Sequence, residues 1–209
     1  MSSSRFPGKV LAPLKGVPLI KWLIDSAAST KNKHPVVVLT SSEVSDDPLV
    51  AYLTHIGCAH YRGSLTHVFN RFQQALTQFP CDYFVRLSGD SPFLQPDLID
   101  MLIDSIQTKR PDFASNVFSR KFPKGQSVEM ANSHVFQSIQ DEWLTEEDRE
   151  HVMPYFYRNT EKYSGLYVDS TIDRSALNMC VDTLDDLNRL AQPVESYKLD
   201  KHELCIETV

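Results

Sequence analysis

Three groups of polar residues in this sequence carry side chains that can bind phosphate or metal. The first is an N-terminal run of hydroxyl, glycine and basic residues, Ser2-Ser3-Ser4-Arg5-Phe6-Pro7-Gly8-Lys9. Backbone N–H groups and hydroxyls can cradle phosphate oxygens, and Arg and Lys can neutralise their charge. The spacing is not that of a Walker P-loop. On composition alone, a disordered polar terminus is the stronger interpretation of this run.

The second and third groups each place an aspartate after a short apolar run. Asp90 lies in a Gly-Asp-Ser-Pro turn after residues 83–87, and Asp182 follows residues 177–181. If both runs are strands of one parallel sheet, their carboxyl ends meet at the edge where such sheets bind ligands. Two carboxylates together with substrate phosphate suit Mg²⁺. The alternatives are an Asx turn at Asp90 and a helix N-cap at Asp182.

Other kinds of site find less support in the sequence. A helix over residues 148–151 places Asp148 and His151 on one side, but no Cys/His spacing indicates zinc. The sequence has no Gly-x-Ser-x-Gly elbow of a serine hydrolase. Its 21 basic and 27 acidic residues give a net charge of −6. Together with the lack of a basic patch interleaved with aromatics, that charge argues against nucleic-acid binding.

The elements that must position these residues alternate between apolar strands and amphipathic helices. The pattern predicts helices over 17–30, 46–56, 68–79, 96–108, 135–142, 146–158 and 184–191, and strands over 35–40, 83–87 and 177–181. This alternation favours an α/β fold with a mainly parallel sheet flanked by helices. The length of 209 residues suits one domain over residues 1–209, within which residues 112–132 have a different texture.

Composition also bears on the compartment. No apolar run reaches the length of a membrane helix, and no secretory signal opens the chain. The four cysteines are far apart and form no C-x-x-C pair. These features predict a cytoplasmic protein with reduced, mostly buried thiols and no membrane partner.

Taken together, the motifs resemble the sugar cytidylyltransferases, in particular the branch named for spore-coat polysaccharide biosynthesis. That branch is related to the acylneuraminate and Kdo cytidylyltransferases. The matching motifs follow one another in order along nearly the whole chain: Arg5-Phe6-Pro7-Gly8-Lys9, Pro13-Leu14, Tyr61-Arg62-Gly63-Ser64, Gly89-Asp90-Ser91-Pro92, Ala114-Ser115-Asn116, Val128-Glu129, Arg149-Glu150-His151 and Val181-Asp182-Thr183. Each motif is weak alone, and their common order makes the resemblance specific.

The resemblance implies a Rossmann-like nucleotidyltransferase fold and an Mg²⁺-dependent enzyme. The implied reaction transfers CMP from CTP to an acidic sugar or sugar phosphate, releases pyrophosphate and serves surface polysaccharide biosynthesis. The implied catalytic residues are Arg5, Lys9 and Asp90, with Asp90 and Asp182 as metal ligands. The implied nucleotide-binding residues are Ser3, Ser4, Gly8, Arg62 and Arg86. The implied sugar-binding residues are Glu129, Arg149 and His151. Residues 112–132 resemble the insertion through which relatives form homodimers.

The sequence also departs from the family pattern. The family has a strand ahead of the serines, and this sequence has no residues that could form that strand. His67 and the pair Gln126-Ser127 replace the residues usual at those positions, on the base or sugar side. The missing strand leaves open a non-catalytic nucleotide- or sugar-binding relative. A nucleotide-sugar glycosyltransferase is a further alternative, because such enzymes also pair a nucleotide-binding sheet with an acidic metal-binding motif.

Overall fold

A computed structural model describes residues 3–192 and the backbone of a strand at 204–208. The strands are β1 (Pro13–Leu14), β2 (Val17–Pro18), β3 (Val37–Ser41), β4 (Ala59–Gly63), β5 (Tyr83–Arg86), β6 (Phe113–Ser115), β7 (Glu129–Asn132), β8 (Gly165–Ser170) and β9 (Leu204–Thr208). The helices are α1 (Leu19–Ala28), α2 (Asp47–His55), α3 (Val68–Gln78), α4 (Pro96–Lys109), α5 (Ser133–Ser138), α6 (Glu146–His151), α7 (Pro154–Arg158) and α8 (Leu184–Ala191). Short 3₁₀ turns lie at Lys9–Leu11, Val44–Asp46 and Asp141–Trp143.

The strands form two main sheets. β3 and β4 pair in parallel, and a five-stranded sheet has the order β5-β7-β6-β8-β9. In the larger sheet β6 and β8 pair in parallel, while β7 runs antiparallel to both β5 and β6. Strands β5, β6 and β8 therefore point the same way, and β9 runs against β8. Among the described strands, β3 pairs only with β4 and β5 only with β7. The α/β class expected from the alternating pattern is confirmed.

Helix α1 connects the two sheets through its apolar residues. Ile20 packs with Leu49 and Leu53 of α2, in a cluster that Val38 of β3 joins. Leu23 packs instead with α4 and with apolar residues of the larger sheet. Because Ile20 and Leu23 pack into different clusters, α1 is buried on more than one side. Its placement fixes both sheets relative to the N-terminal loop that precedes it.

Several predicted boundaries are confirmed, and the local chemistry explains them. Helix α2 begins at Asp47 with proline at its second position, where the missing N–H leaves no hydrogen bond unmade. Gly57, just beyond the end of α2, has φ of 68°, the left-handed conformation that ends helices. Thr183 begins α8 with a capping box that pairs it with Asp186.

The predicted strand over 177–181 is wrong. Residues 177–181 are irregular apart from a single parallel bridge between Lys124 and Asn178. Leu177 is about half exposed, whereas Met179, Cys180 and Val181 are buried, so the apolar run packs into the interior without joining a strand ladder. The strand that pairs with β6 in the larger sheet is instead β8, whose six residues are all buried. The pattern missed β8, and it also missed β4 and β6.

Three predicted helices have different bounds in the structure. The helix over 146–158 divides into α6 and α7, because Val152 has φ of 73° and Pro154 cannot continue the hydrogen-bond ladder. The helix over 135–142 is α5, which begins at Asn132 with a side-chain cap and ends at Ser138. Helix α1 begins at Leu19, because residues 17–18 pair with β1.

The predicted insertion over 112–132 contains two strands of the larger sheet. It includes all of β6 and all of β7, and the connection over 116–128 between them lies outside these strands. Its predicted part in pairing two copies stays a prediction. Of the three cysteines with described side chains, Cys180 is buried, Cys58 is half-buried and Cys81 is exposed, and all three are free. Cys205 lies outside the described side chains.

Candidate active site

Five charged side chains, called here the ion-pair cluster, meet beyond the end of β5. The Nζ atom of Lys9 lies 2.7 Å from Asp90 Oδ2 and 3.0 Å from Asp182 Oδ1. Lys124 Nζ lies 2.7 Å from Asp182 Oδ2, and Arg5 Nη2 lies 3.1 Å from Asp182 Oδ1. Two carboxylates that are far apart in sequence are thus held around one amine, as the sequence predicted for Asp90 and Asp182.

Backbone contacts hold the two aspartates beside each other. The N–H of Val181 donates to the carbonyl oxygen of Asp90 at 2.9 Å. The N–H of Asp182 donates to the Asp186 carboxylate at 3.1 Å, in the first turn of α8. The N-cap of α8 is Thr183, not Asp182, so the N-cap alternative for Asp182 is wrong and its carboxylate is left for the cluster.

The N-terminal loop folds onto this edge. Phe6 packs against Leu14, Leu19 and Val181, and the N–H of Phe6 donates to Ser3 Oγ at 3.3 Å. Gly8 has φ of 74° and begins the 3₁₀ turn that carries Lys9, a conformation that favours glycine. Ser4 is exposed. The described part of the loop is therefore folded around a hydrophobic anchor, and the interpretation of a disordered terminus is not supported for it.

The charges in the cluster shift each other's protonation. The pKa of Asp182 is lowered to about 2, chiefly by the hydrogen bond from Lys124 and, after it, by the hydrogen bond from Lys9. Burial lowers the pKa of Lys9, but hydrogen bonds and charges of Asp90 and Asp182 outweigh it and the net pKa is raised. Hydrogen bonding to Asp182 likewise raises the pKa of Lys124. All three groups are therefore charged at neutral pH.

The geometry of the two aspartates suits a bound cation. Oxygens of Asp90 and Asp182 converge on the single positive centre of Lys9 Nζ, so a positive charge is already accommodated between them. Carboxylate oxygens are the ligands that Mg²⁺ takes alongside substrate phosphates and water. Within residues 3–192, no group of three or more His, Cys, Asp or Glu side chains forms an all-protein metal site. A metal at this position would depend on ligand oxygens as well.

A cavity of about 620 Å³, called here the acceptor cavity, lies next to the cluster. Its lining includes Ser88, two residues before Asp90, and Ser127, three residues after Lys124. The remaining lining residues are Arg86, Val117, Arg120, Glu129, Glu147, His151, Pro154, Tyr157 and Arg158. The cavity lining therefore contains three of the predicted site residues, Arg86, Glu129 and His151.

A buried hydrogen-bond network supports this cavity. Glu129 accepts a hydrogen bond from Arg86 on one oxygen and, at 2.6 Å, from the Tyr157 hydroxyl on the other. Tyr157 also lies 3.0 Å from Ser115 Oγ. Burial, followed by the Glu129 charge, raises the pKa of Tyr157 well above its usual value, so the hydroxyl stays protonated as a donor. The network fixes the Arg86 guanidinium at the cavity wall.

The remaining predicted residues lie elsewhere. Arg149 pairs with Asp141 and Glu146 and is not in the lining of the acceptor cavity. Arg62, at the end of β4, donates to the carbonyl oxygens of residues 41 and 43 and pairs with Asp47 at 2.8 Å. Its predicted role near a base stays a prediction, as does the sugar-side role of Arg149.

The departures from the family pattern have structural roles here. His67 accepts a hydrogen bond from the N–H of Asn70 through Nδ1 and so caps α3. Gln126 is fully buried and bonds the backbone of Gln95 and Phe93 at 3.0 and 2.8 Å. Of these three positions, only Ser127 lines the acceptor cavity.

The structure adds residues that the sequence pattern did not single out. Lys124 joins the ion-pair cluster, and Tyr157 and Arg158 line the acceptor cavity. Lys124 directly precedes Gly125 in the sequence, and a basic residue beside a glycine is a weak signal of a functional loop. Tyr157 and Arg158 lie in a helix and carry no local signal. A larger cavity of about 700 Å³, beside Trp143 and Tyr163, contains none of the predicted site residues.

Comparison with known proteins assigns the chain to a family. A family model described as Cytidylyltransferase matches residues 1–206. The spore coat polysaccharide biosynthesis protein SpsF of Bacillus subtilis is 28% identical over 193 residues, covering 89% of this chain and 79% of that protein. A 3-deoxy-manno-octulosonate cytidylyltransferase of Chlorobaculum tepidum is 33% identical over 145 residues, covering 68% of this chain and 56% of that protein. The structure of a cytidylyltransferase from Leptospira borgpetersenii has a TM-score of 0.86 and 27% identity, covering 95% of this chain and 84% of that chain.

Proposed function

Because this chain belongs to the cytidylyltransferase family, we propose that it transfers CMP from CTP to a sugar and releases pyrophosphate. The ion-pair cluster is the observation that carries the proposal. It gathers three cations and two carboxylates at one edge, the combination that a metal–triphosphate ligand requires. The similarity to SpsF supports a role in surface polysaccharide synthesis.

The reaction asks for little covalent chemistry from the protein. An oxygen of the sugar attacks the α-phosphorus of CTP, and the bond from that phosphorus to the bridging oxygen of the β-phosphate breaks. Where the attacking oxygen is a hydroxyl, its proton passes to water; a sugar phosphate attacks through an ionised oxygen and releases no proton. Arg5 and Lys9 hold phosphate oxygens and neutralise the charge that builds up on the leaving pyrophosphate. Positioning and charge neutralisation of this kind supply most of the rate in phosphoryl and nucleotidyl transfer.

We propose Mg²⁺ as the cofactor, held by Asp90 and Asp182. When bound, the ion would neutralise phosphate charge and polarise the α-phosphate. The convergence of the two carboxylates on Lys9 supports this assignment. The Nζ atom of Lys9 lies between the two carboxylates and marks the place where the aspartates stabilise a positive charge.

The acceptor cavity is proposed to bind the sugar. Its volume of about 620 Å³ is in the range of small-molecule sites. Arg86, Arg120 and Arg158 line it beside Glu129 and Glu147, so its lining holds one more cation than carboxylate. Arginine reads carboxylate and phosphate groups with paired hydrogen bonds. This lining favours an acidic sugar or a sugar phosphate, in line with the octulosonate named for one relative.

Pyrophosphate release tests this function. The purified chain is incubated with Mg²⁺, CTP and a panel of acidic sugars and sugar phosphates, and pyrophosphate is measured by coupled hydrolysis to phosphate. The proposal expects release that depends on both CTP and one class of sugar. In a parallel incubation with nucleotide sugars in place of CTP, release of a nucleoside diphosphate would instead indicate a glycosyltransferase. Binding of CTP without any pyrophosphate would indicate the non-catalytic alternative.

A further inference from the structure

The backbone at Lys124 is held in place by the loop that leads to Asp182. The N–H of Lys124 donates to the carbonyl oxygen of Leu177 at 2.9 Å, and the N–H of Met179 donates to the carbonyl oxygen of Lys124 at 2.7 Å. These two bonds make the parallel bridge between Lys124 and Asn178. The Lys124 main chain is therefore fixed a few residues away from Asp182, although its side chain is about half exposed.

Gly125 makes this close approach possible. Its φ is 95°, and a Cβ atom at this position would lie 2.8 Å from the carbonyl carbon of Met179 and 3.0 Å from the backbone nitrogen of Cys180. A side chain would push the two backbones apart. The glycine thus sets the distance at which Lys124 reaches the Asp182 carboxylate.

Within the described residues, both oxygens of Asp182 are already occupied by protein cations. Lys9 and Arg5 contact Oδ1, and Lys124 contacts Oδ2. A metal ion bound by Asp182 would compete with these cations for the same carboxylate. A triphosphate would bring several new negative charges to the same edge, to which the displaced cations can turn.

We propose that Lys124 is a phosphate-binding residue which neutralises Asp182 in the free protein and exchanges that partner for the nucleotide when the metal–nucleotide complex binds. The inference rests on the proposed function. The exchange needs no backbone movement, because the main chain is already clamped beside Asp182 and only the side chain turns. The Lys124 side chain is 55% exposed, so water screens its pair with Asp182 from the Lys124 side and a new partner can replace it.

The exchange predicts effects of opposite sign on two binding reactions. The variant Lys124→Gln removes a competitor of the metal, so Mn²⁺ alone should bind about two- to fivefold more tightly. It also removes a charged contact to phosphate, so CTP with Mg²⁺ should bind about tenfold more weakly. Mn²⁺ binding is measured by electron paramagnetic resonance of the free ion, and CTP binding by calorimetry. Unchanged thermal unfolding checks that the variant folds.

Lys121→Gln is the matched control. Lys121 lies three residues earlier on the same segment and pairs with Asp169 at 2.6 Å, away from the ion-pair cluster. This variant should leave both affinities unchanged. If Lys124→Gln weakens both ligands, or changes neither, the exchange is overturned.

Failure of the proposed function gives a different result, in which the wild-type chain binds no CTP. The inference is then decided with Mn²⁺ and inorganic pyrophosphate as the probes. Tighter Mn²⁺ and weaker pyrophosphate in Lys124→Gln support the exchange, and any other combination overturns it.

Discussion

The ion-pair cluster and the acceptor cavity both use paired charges, but they hold them differently. In the cluster, the outer side chains of Arg5 and Lys124 are 65% and 55% exposed, around a centre in which Lys9 and Asp182 are 14% and 13% exposed. In the cavity, those of Arg86 and Glu129 are 21% and 9% exposed, and Tyr157 locks Glu129 from the other side. The exposed pairs can change partners when a charged ligand arrives. The buried pairs are arranged before the ligand binds, and they also stabilise the fold.

This difference predicts which variants affect ligand binding alone and which also affect the stability of the fold. Changes at the exposed cluster cations Arg5 and Lys124 should alter ligand binding and turnover while leaving the free energy of unfolding nearly unchanged. Changes in the cavity network should alter both, because breaking a buried pair leaves an uncompensated charge.

The largest expected effect is that of Asp90→Asn. Loss of one preorganised electrostatic contact should lower turnover at least about 100-fold, and thermal unfolding of the variant checks that it folds. Pyrophosphate release under saturating CTP measures the turnover. Asp185→Asn, an exposed acid in the first turn of α8, is the control and should retain activity. Near-normal release by Asp90→Asn would remove this aspartate from the site.

Glu129→Gln should destabilise the chain and also impair sugar binding. It removes the charge that Arg86 and Tyr157 both face, at a cost of about 1.5–3 kcal/mol in the free energy of unfolding. Urea denaturation measures that cost, and the KM for sugar should rise while the KM for CTP stays. Glu147→Gln, an exposed acid in the same cavity lining, should leave stability unchanged. A Glu129→Gln variant as stable as wild type would contradict the contrast between the two regions.

Tyr157→Phe sharpens the contrast by keeping the Arg86–Glu129 pair and removing only the hydroxyl. The loss of its contacts with Glu129 and Ser115 should cost about 1 kcal/mol of unfolding free energy. The same urea experiment measures it. The sugar KM should rise less than in Glu129→Gln, and an equal or larger rise would show that Tyr157 acts on the sugar directly.

The smallest effect concerns the titration of Asp182. Its folded pKa of about 2 lies below its ordinary value of 3.8, so its contribution to stability is complete above about pH 4 and is lost as the pH falls towards 2. Carbon-13 NMR of the carboxyl groups measures this titration. In Lys124→Gln the pKa of Asp182 should rise towards its ordinary value. An unchanged titration would show that Lys124 does not hold this carboxylate in solution.

The sequence predicted the cluster better than it predicted the elements that build it. Asp90 and Asp182 were expected to meet at the ends of two parallel strands. They do meet, but Asp182 arrives on an irregular loop bonded to residues 90 and 124, and the strand beside it in sequence is β8. Strand β8 was not predicted because it contains the polar residues Asp169 and Ser170, which are unusual in a buried strand. The hydrogen bonds that make Asp169 acceptable there come from Lys121 and Ser119, in a segment distant in sequence.

The acceptor cavity was less predictable because its residues meet through long-range contacts. Arg86, Glu129 and Tyr157 come from β5, β7 and α7, and no local pattern states that a buried tyrosine will face a buried glutamate. The family motifs named Arg86 and Glu129 but not the hydroxyl between Glu129 and Ser115. Three-dimensional packing was needed to find it.

The most direct test of the whole account is the thermal unfolding of wild type and Asp182→Asn with Mg²⁺ and each of the four nucleoside triphosphates. At about a hundredfold excess over Kd, binding adds about 2.7 kcal/mol. For a chain of this size the melting temperature should rise by about 5–10 °C. The account predicts that CTP gives this rise in wild type and that most of it is lost in Asp182→Asn. No shift with any nucleotide, or a full CTP shift in Asp182→Asn, would contradict it.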